Sequence, residues 1–130
     1  MIQEICLATN NAHKINELQA MLGNSFNLLT LSDIGCKDEI EETGSTFQEN
    51  SKIKADYINK KYNIDVIADD SGLEIEALNF QPGVFSARFA GTPCNHDKNN
   101  EKVLELMKNQ NNRKACFKTV ITLITNGSTY

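Results

Sequence analysis

The sequence predicts an α/β protein in which short apolar strands alternate with amphipathic helices. Residues 2–8 form an apolar run of strand length, and Ile15, Leu18 and Leu22 then recur at the three- and four-residue steps of a helix. The composition predicts one folded domain over residues 1–130, because 40% hydrophobic and 23% charged residues match ordinary globular proteins. No apolar run approaches the roughly 20 residues of a membrane span.

The first half of the chain predicts two strand–helix pairs. The first helix should end at Gly23, and residues 26–31 form a second strand candidate. Residues 38–44 are acidic and irregular. Thr46 and Glu49 then stand at capping-box spacing and predict a helix that runs to about Tyr62.

The second half predicts more strands and one helix. Residues 65–68 form a short strand candidate that runs into Asp69-Asp70-Ser71-Gly72, after which Leu73, Ile75 and Ala77 alternate as in a half-buried strand. Residues 81–83 predict a turn. Residues 97–108 predict a helix packed through Val103, Leu104 and Met107, and residues 114–125 a strand with Phe117, Ile121 and Leu123 on one face.

The charge and the cysteines narrow the classes of partner and compartment. A net charge of -4 argues against a duplex nucleic-acid partner, although lysines and a metal ion could still hold a small anion. Cys6 and Cys116 lie in apolar runs that favour small buried thiols, and no cysteine spacing suggests zinc. Glu4 stands where an export signal would carry a base. Reduced thiols and a cytoplasmic location are therefore expected.

The first candidate site is the polar turn that opens the first helix. Small polar residues after a strand direct backbone N–H groups at one point, where the helix dipole adds positive charge and Lys14 could add a full charge. This arrangement suits phosphate. From the residues alone, however, simple N-capping beside a solvated lysine is the favoured explanation, and His13 is expected to be a surface neighbour.

The second candidate is Lys54. At about 100° per residue, Lys54 falls in the same sector of the second helix as Phe47, Ile58 and Tyr62, with Asn50 at its border. A lysine on an apolar face either extends outward to water or meets an anion. Both readings stay open from the residues alone.

Acidic residues supply the third and fourth candidates. Asp69 and Asp70 follow an apolar strand, and in an extended backbone one of them could face a cleft while the other braces the loop. Two carboxylates at the end of a strand commonly hold a hard cation. A turn closed by Gly72 is the structural alternative, but it does not account for two consecutive acids. The acidic loop around Glu42 gains meaning only if it folds near Asp70. A fifth segment holds Arg88, which is expected to be a structural anchor rather than an anion ligand.

Four segments, in this order, resemble the inosine triphosphate pyrophosphatase family, also called the Ham1 family. They are LATNNAHK (7–14), EETGSTFQENSKIKA (41–55), IADDSGLEIEAL (67–78) and PGVFSARFAG (82–91). The resemblance implies an α/β fold around a long mixed sheet flanked by helices, in the Maf/Ham1 architecture, and a homodimer. It also implies hydrolysis of deaminated purine nucleoside triphosphates such as ITP, dITP and XTP to the monophosphate and pyrophosphate, with Mg²⁺ as cofactor.

The resemblance assigns roles residue by residue. Asp70 matches the general base and metal ligand, with Glu42 and Asp69 as further acids at the metal, and Lys14 and Lys54 match catalytic, phosphate-contacting lysines. The matching substrate-binding residues are Thr9, Asn10, Asn11, Ala12, His13, Lys14, Lys54 and Ser71.

The chain departs from this family at its C-terminal end. The Gly-Phe-Gly-Tyr-Asp-Pro segment and the late Ser-His-Arg motif, which help to hold the purine, are not found. Asn126-Gly127 predicts a hairpin whose second arm has barely begun, unless the last residues are a frayed tail. We therefore expect a truncated domain, incomplete at the C-terminus, with impaired activity.

Two alternatives remain from the sequence. A derived protein of this family could be a non-catalytic module that binds phosphate or metal, or a dimerisation partner. The Maf-like pyrophosphatases are disfavoured, because Thr9-Asn10-Asn11 stands where they carry a Ser-x-Ser-Pro-Arg loop.

Overall fold

A computed structural model describes residues 2–9 and 11–130. Its strands are β1 (Gln3–Leu7), β2 (Phe26–Leu29), β3 (Asp65–Ile75), β4 (Gln81–Pro82), β5 (Ala115–Thr125) and β6 (Ser128–Thr129). Its α-helices are α1 (Ala12–Leu22), α2 (Phe47–Tyr62) and α3 (His96–Met107), and short 3₁₀ turns cover Gly23–Ser25, Glu76–Leu78 and Gly83–Arg88.

The strands of the described residues form one mixed sheet. Their order is β2-β1-β3-β5-β6, and β4 pairs with β3. The β1 strand is parallel to both β2 and β3, whereas the β3–β4 and β5–β6 pairs are antiparallel. The predicted α/β fold with a mixed sheet and flanking helices is confirmed.

The chain divides into two compact units. The first contains residues 1–69 and 121–130, and the second contains residues 70–120. The strands β3 and β5 each contribute residues to both units. The single-domain reading stays a prediction.

The core of the first unit lies between α2 and strands β1 and β3. Cys6, Ala55, Ile58 and Val66 have no solvent-exposed surface. They pack with Ala8, Cys36, Ala68 and Ile124 in one cluster. Cys6 is thus the small buried hydrophobe that the sequence predicted, whereas Cys116 is exposed, contrary to expectation.

Both predicted helix starts are confirmed. The Asn11 side chain accepts hydrogen bonds from the N–H groups of His13 and Lys14 and caps α1, which ends at Gly23 with a φ of 73°. Thr46 accepts from the N–H of Glu49 at the start of α2.

The second half of the predicted capping box is shifted by one residue. The Glu49 carboxylate accepts from the N–H of Ser45 at 2.8 Å, instead of from Thr46. The return bond therefore fastens the segment that precedes the helix.

The alternative of a turn closed by Gly72 is wrong, because β3 runs unbroken from Asp65 to Ile75. Gly72 is buried within the strand, and the next residue is held by a bond from its N–H to the Ser86 hydroxyl. The chain reverses later, where Asn79 and Phe80 have positive φ, so that residues 81–83 contain β4 instead of the predicted turn.

The predicted packing of α3 is only partly correct, and the shared face of Phe117, Ile121 and Leu123 on β5 is not the buried one. On α3, Met107 is buried but Leu104 is 65% exposed. On β5, Phe117 and Ile121 are exposed, while Thr122 and Ile124 on the opposite face are buried. Two long-range contacts account for the burial on β5: the Thr122 hydroxyl shares a 2.6 Å hydrogen bond with Ser51 of α2, and Ile124 joins the core.

The predicted hairpin at Asn126-Gly127 is confirmed. Both residues have positive φ, at 51° and 77°, as tight hairpin turns between twisted strands require. The arms pair Ile124 with Thr129, and Tyr130 exchanges two backbone hydrogen bonds with Leu123.

Candidate functional site

Two local hydrogen bonds fasten the chain between β1 and α1. Thr9 accepts a hydrogen bond from the N–H of Asn11, and its own carbonyl accepts from Leu31. Ala12 and His13 are exposed in the first turn of α1. Of the sequence candidates in this turn, Asn10 lies outside the described residues.

Lys54 meets a carboxylate and a backbone carbonyl instead of extending into water. Its ammonium group lies 3.0 Å from Oε1 of Glu42 and donates to the backbone carbonyl of Asp69. Only 18% of the Lys54 side chain is exposed. The acidic loop and the end of the apolar β3 run are therefore joined by one positive charge.

Lys14 reaches the same region from the start of α1. Its Nζ lies 3.0 Å from Oδ2 of Asp69, whose side chain is 17% exposed. Lys14, Glu42, Lys54 and Asp69 thus form one connected group in the first unit, which we call the lysine–carboxylate cluster. Residues from three separate sequence segments meet there.

Asp70 and Ser71 are the next residues of β3 and belong to the second unit. Asp70 is buried, at 8% exposure, whereas Ser71 is partly exposed. The Ser71 hydroxyl lies 2.9 Å from the hydroxyl of Thr119 on β5. Among the sequence candidates, the structure therefore brings Lys14, Glu42, Lys54 and Asp69 together, and Asp70 follows Asp69 directly along the strand.

The cluster contains few ligands for a cation by itself. Within residues 2–9 and 11–130, no group of three or more His, Cys, Asp or Glu side chains is placed to hold a metal ion. The Glu42 and Asp69 carboxylates already pair with lysines. This donor set fits Mg²⁺, because that ion commonly binds through one or two carboxylates and takes its other oxygens from substrate phosphates and water.

Sequence reasoning missed a second anchor for the acidic loop. The Asp38 carboxylate accepts hydrogen bonds from both the Tyr57 hydroxyl and the Lys61 ammonium group on α2. These hydrogen bonds hold the pKa of Asp38 below its usual value, and the bond from Lys61 has the larger effect. The four-residue spacing of Tyr57 and Lys61 would have indicated a shared helix face, but nothing in the pattern identified Asp38 as their partner.

The second unit contains a cavity of about 340 Å³ lined by residues that include Ser71, Ser86, Phe89 and Asn99. Its polar lining is largely engaged within the protein. Ser86 accepts from Leu73 and donates to the carbonyl of Gly83, and the Asn99 amide bonds Ala87 and Ala90. These bonds fasten the segment that carries Arg88.

The Arg88 guanidinium lies over the Phe85 ring, 5.4 Å from its centre. This contact is a cation–π arrangement of ordinary geometry. The position agrees with the anchor reading of Arg88.

The chain matches known proteins over nearly its whole length. The model of the Ham1 family matches residues 5–130. A dITP/XTP pyrophosphatase of Flavobacterium johnsoniae is 48% identical over 127 residues, which cover 98% of this chain and 66% of that protein. A dITP/XTP pyrophosphatase of Porphyromonas gingivalis is 46% identical and is covered to 64%. The chain thus spans slightly less than two thirds of the length of these curated relatives.

The structural comparison agrees with the sequence comparison. The Ham1 protein of Staphylococcus aureus superposes with a TM-score of 0.90 at 40% identity, covering 98% of this chain and 67% of that one. None of the helices described here is long and apolar enough to cross a membrane. The resemblance found in the four sequence segments is confirmed, and the chain belongs to the Ham1 family.

Proposed function

We propose that the protein hydrolyses purine nucleoside triphosphates with deaminated bases, such as ITP, dITP and XTP, to the monophosphate and pyrophosphate. The observation that carries the proposal is the lysine–carboxylate cluster, in which two ammonium groups meet two carboxylates beside a helix N-terminus. The names of the dITP/XTP pyrophosphatases described above support the reaction and the substrate class.

The cluster offers what a polyphosphate needs. The N-terminus of α1 carries backbone N–H groups and a partial positive charge, and Lys14 lies in its first turn. In this proposal Lys14 and Lys54 bind phosphate oxygens and stabilise the charge that develops during cleavage. Local positive charge thereby allows a protein of net charge -4 to bind an anion.

The remaining roles follow the same proposal. Thr9, Asn11, Ala12 and His13 surround the phosphates through the turn they form, and Asn10 is assigned there by resemblance alone. Ser71 contacts the substrate through its hydroxyl.

Asp70 acts as the general base in this mechanism. Its carboxylate accepts a proton from a water molecule whose oxygen attacks the α-phosphorus. A bond forms between that oxygen and phosphorus, the bond from the α-phosphorus to the bridging oxygen breaks, and the electron pair leaves with pyrophosphate. The nucleoside monophosphate remains.

Glu42, Asp69 and Asp70 would hold Mg²⁺ together with the phosphates. Mg²⁺, when bound, neutralises phosphate charge and makes a coordinated water more acidic. We also propose that the protein is a single-domain, cytoplasmic homodimer, in keeping with its family and with a substrate drawn from the nucleotide pool.

The test is pyrophosphate release from ITP, dITP, XTP, ATP and GTP, with Mg²⁺ and with a chelator. We expect Mg²⁺-dependent release that is faster for the three deaminated substrates. Equal release from ATP and GTP would contradict the substrate class. Calorimetric titration with a non-hydrolysable triphosphate separates the alternatives, because binding without any turnover would favour the non-catalytic module.

A further inference from the structure

Helix α2 and the acidic segment before it lie side by side and run in opposite directions. Contacts between them recur along nearly the whole helix. In order, they join Ser45 to Glu49, Gly44 to Asn50, Glu42 to Lys54, and Asp38 to Tyr57 and Lys61. The segment that carries Glu42 is therefore fastened on both sides of that residue.

Asn50 contacts the acidic segment at Gly44, two residues after Glu42. Its Oδ1 accepts a hydrogen bond of 2.8 Å from the backbone N–H of Gly44. Asn50 is completely buried, and no acceptor for its Nδ2 group is found among the described residues. A buried donor without an acceptor is costly, so this side chain is a poor choice for stability alone.

Gly44 fits this contact because it has no side chain. A Cβ atom there would lie 2.6 Å from the Cβ of Glu49 and 2.7 Å from Oδ1 of Asn50. Both distances are far below ordinary van der Waals contact. The close approach of the loop to the helix thus depends on both residues.

When substrate binds, the hydrogen bond between Asn50 and Gly44 would remain, whereas the ion pair between Lys54 and Glu42 would change. Phosphate oxygens would compete with the Glu42 carboxylate for the Lys54 ammonium group. The backbone bond at Gly44 is not drawn into that competition, because Asn50 has no exposed surface. It can keep the loop in place while Lys54 changes partners.

We infer that Asn50 is a positioning residue, which, together with Gly44, holds the Glu42 carboxylate where a metal-bound polyphosphate is gripped. The inference rests on the proposed function. Asn50 touches neither the metal nor the substrate, and acts through the backbone two residues from Glu42.

The test compares Asn50→Leu, which removes the acceptor at similar volume, with Asn50→Asp, which keeps an acceptor oxygen in the same place. Gly44→Ala is a second disruption that removes no polar group and no core atom. The readouts are amide hydrogen exchange at Gly44, with the Asn63 amide in the C-terminal cap of α2 as an internal reference, and affinity for inorganic triphosphate with Mg²⁺.

We expect both Asn50→Leu and Gly44→Ala to speed hydrogen exchange of the backbone amide at position 44. Both should also weaken triphosphate binding by about tenfold, the effect of losing about one hydrogen bond. Exchange at Asn63 should stay unchanged, and Asn50→Asp should restore most of the affinity. If the unaltered protein binds triphosphate and both disrupted variants bind it equally well, the inference is wrong and the proposed function stands. If the unaltered protein does not bind triphosphate, both are wrong.

Discussion

The Nζ of Lys54 lies 3.0 Å from Oε1 of Glu42, in a place where less than a third of either side chain is exposed. Charged groups with so little water around them are stable only with a partner. The pair therefore links the position of the acidic loop to the charge on α2. In the proposed function, phosphate oxygens would have to compete with the Glu42 carboxylate for the Lys54 ammonium group.

Replacement of Lys54 by methionine should abolish most of the activity. The variant keeps the length of the side chain and removes the charge that would stabilise the transition state, so kcat/KM for ITP should fall by about 100-fold or more. It should also lower the free energy of unfolding by roughly 1–3 kcal/mol, since Glu42 loses its partner in a partly buried place. Steady-state kinetics and thermal unfolding measure the two effects.

Lys52 is a matched control on the same helix. Its ammonium group lies 2.6 Å from Asp56 one turn later, in an exposed pair. Lys52→Met should leave kcat/KM within about twofold and change stability by only about 0.3–0.5 kcal/mol. Equal losses in the two methionine variants would show that charge on α2 in general, instead of Lys54, supports activity.

The adjacent acids of β3 should differ in their effects on turnover and binding. Asp70→Asn should reduce kcat by about 100-fold or more, the scale of a lost general base, with triphosphate binding largely kept. Asp69→Asn should mainly raise KM, because Lys14 loses the carboxylate that positions it. An Asp70→Asn enzyme that retained most of its rate would exclude Asp70 as the base.

The Asp38 anchor predicts a pH-dependent contribution to stability. Hydrogen bonds from Lys61 and then Tyr57 lower the pKa of Asp38 in the folded protein. Its contribution is present above the ordinary carboxyl pKa of about 4 and is lost as the pH falls through the lower, folded-state value. Asp38→Asn should therefore lower Tm at pH 6, and the difference from the unaltered protein should shrink as the pH falls below the ordinary carboxyl pKa.

Thermal unfolding between pH 2 and pH 7 measures this difference. Glu39→Gln, in the same segment, is a control that should show no such convergence. A gap between Asp38→Asn and the unaltered protein that widened toward low pH would contradict the assigned direction.

Thiol reactivity should divide the cysteines into two pairs. Cys94 and Cys116 are exposed, whereas Cys6 and Cys36 are buried. Burial is the main reason that the pKa of Cys6 rises to about 12, so almost no reactive thiolate forms there at pH 8. An aromatic disulfide reagent should modify two thiols quickly in the folded protein and all four after denaturation. Rapid modification of Cys6 under native conditions would contradict its placement.

Local signals predicted the helices and the hairpin well. Asn11, Thr46 and Asn126-Gly127 act through bonds and dihedral angles within a few residues, and such signals can be found without knowledge of the fold.

The buried faces of strands could not be predicted in this way. Phe117 and Thr122 both suit a strand, and a hydroxyl partner on α2, distant in sequence, decides which face of β5 is buried.

In the candidate site, too, local features could be predicted from the sequence, whereas long-range contacts could not. The unusual place of Lys54 on an apolar helix face indicated a possible partner, and the acids were candidates from their pattern before the resemblance assigned roles to them. The carbonyl of Asp69 as that partner, the return bond of Glu49 to Ser45, and the contact of Asn50 with Gly44 depend on how the loop lies against α2. The periodicity of the sequence does not predict how the loop packs against α2.

The unbroken course of β3 has a consequence for insertions and deletions. Side chains of a strand alternate between its two faces, so removal of one residue upstream of Asp69 would exchange the faces of every side chain after it. Asp70 would then take the position from which Asp69 now meets Lys14, and Ser71 would take the buried position of Asp70. This stretch should therefore tolerate hardly any change in length.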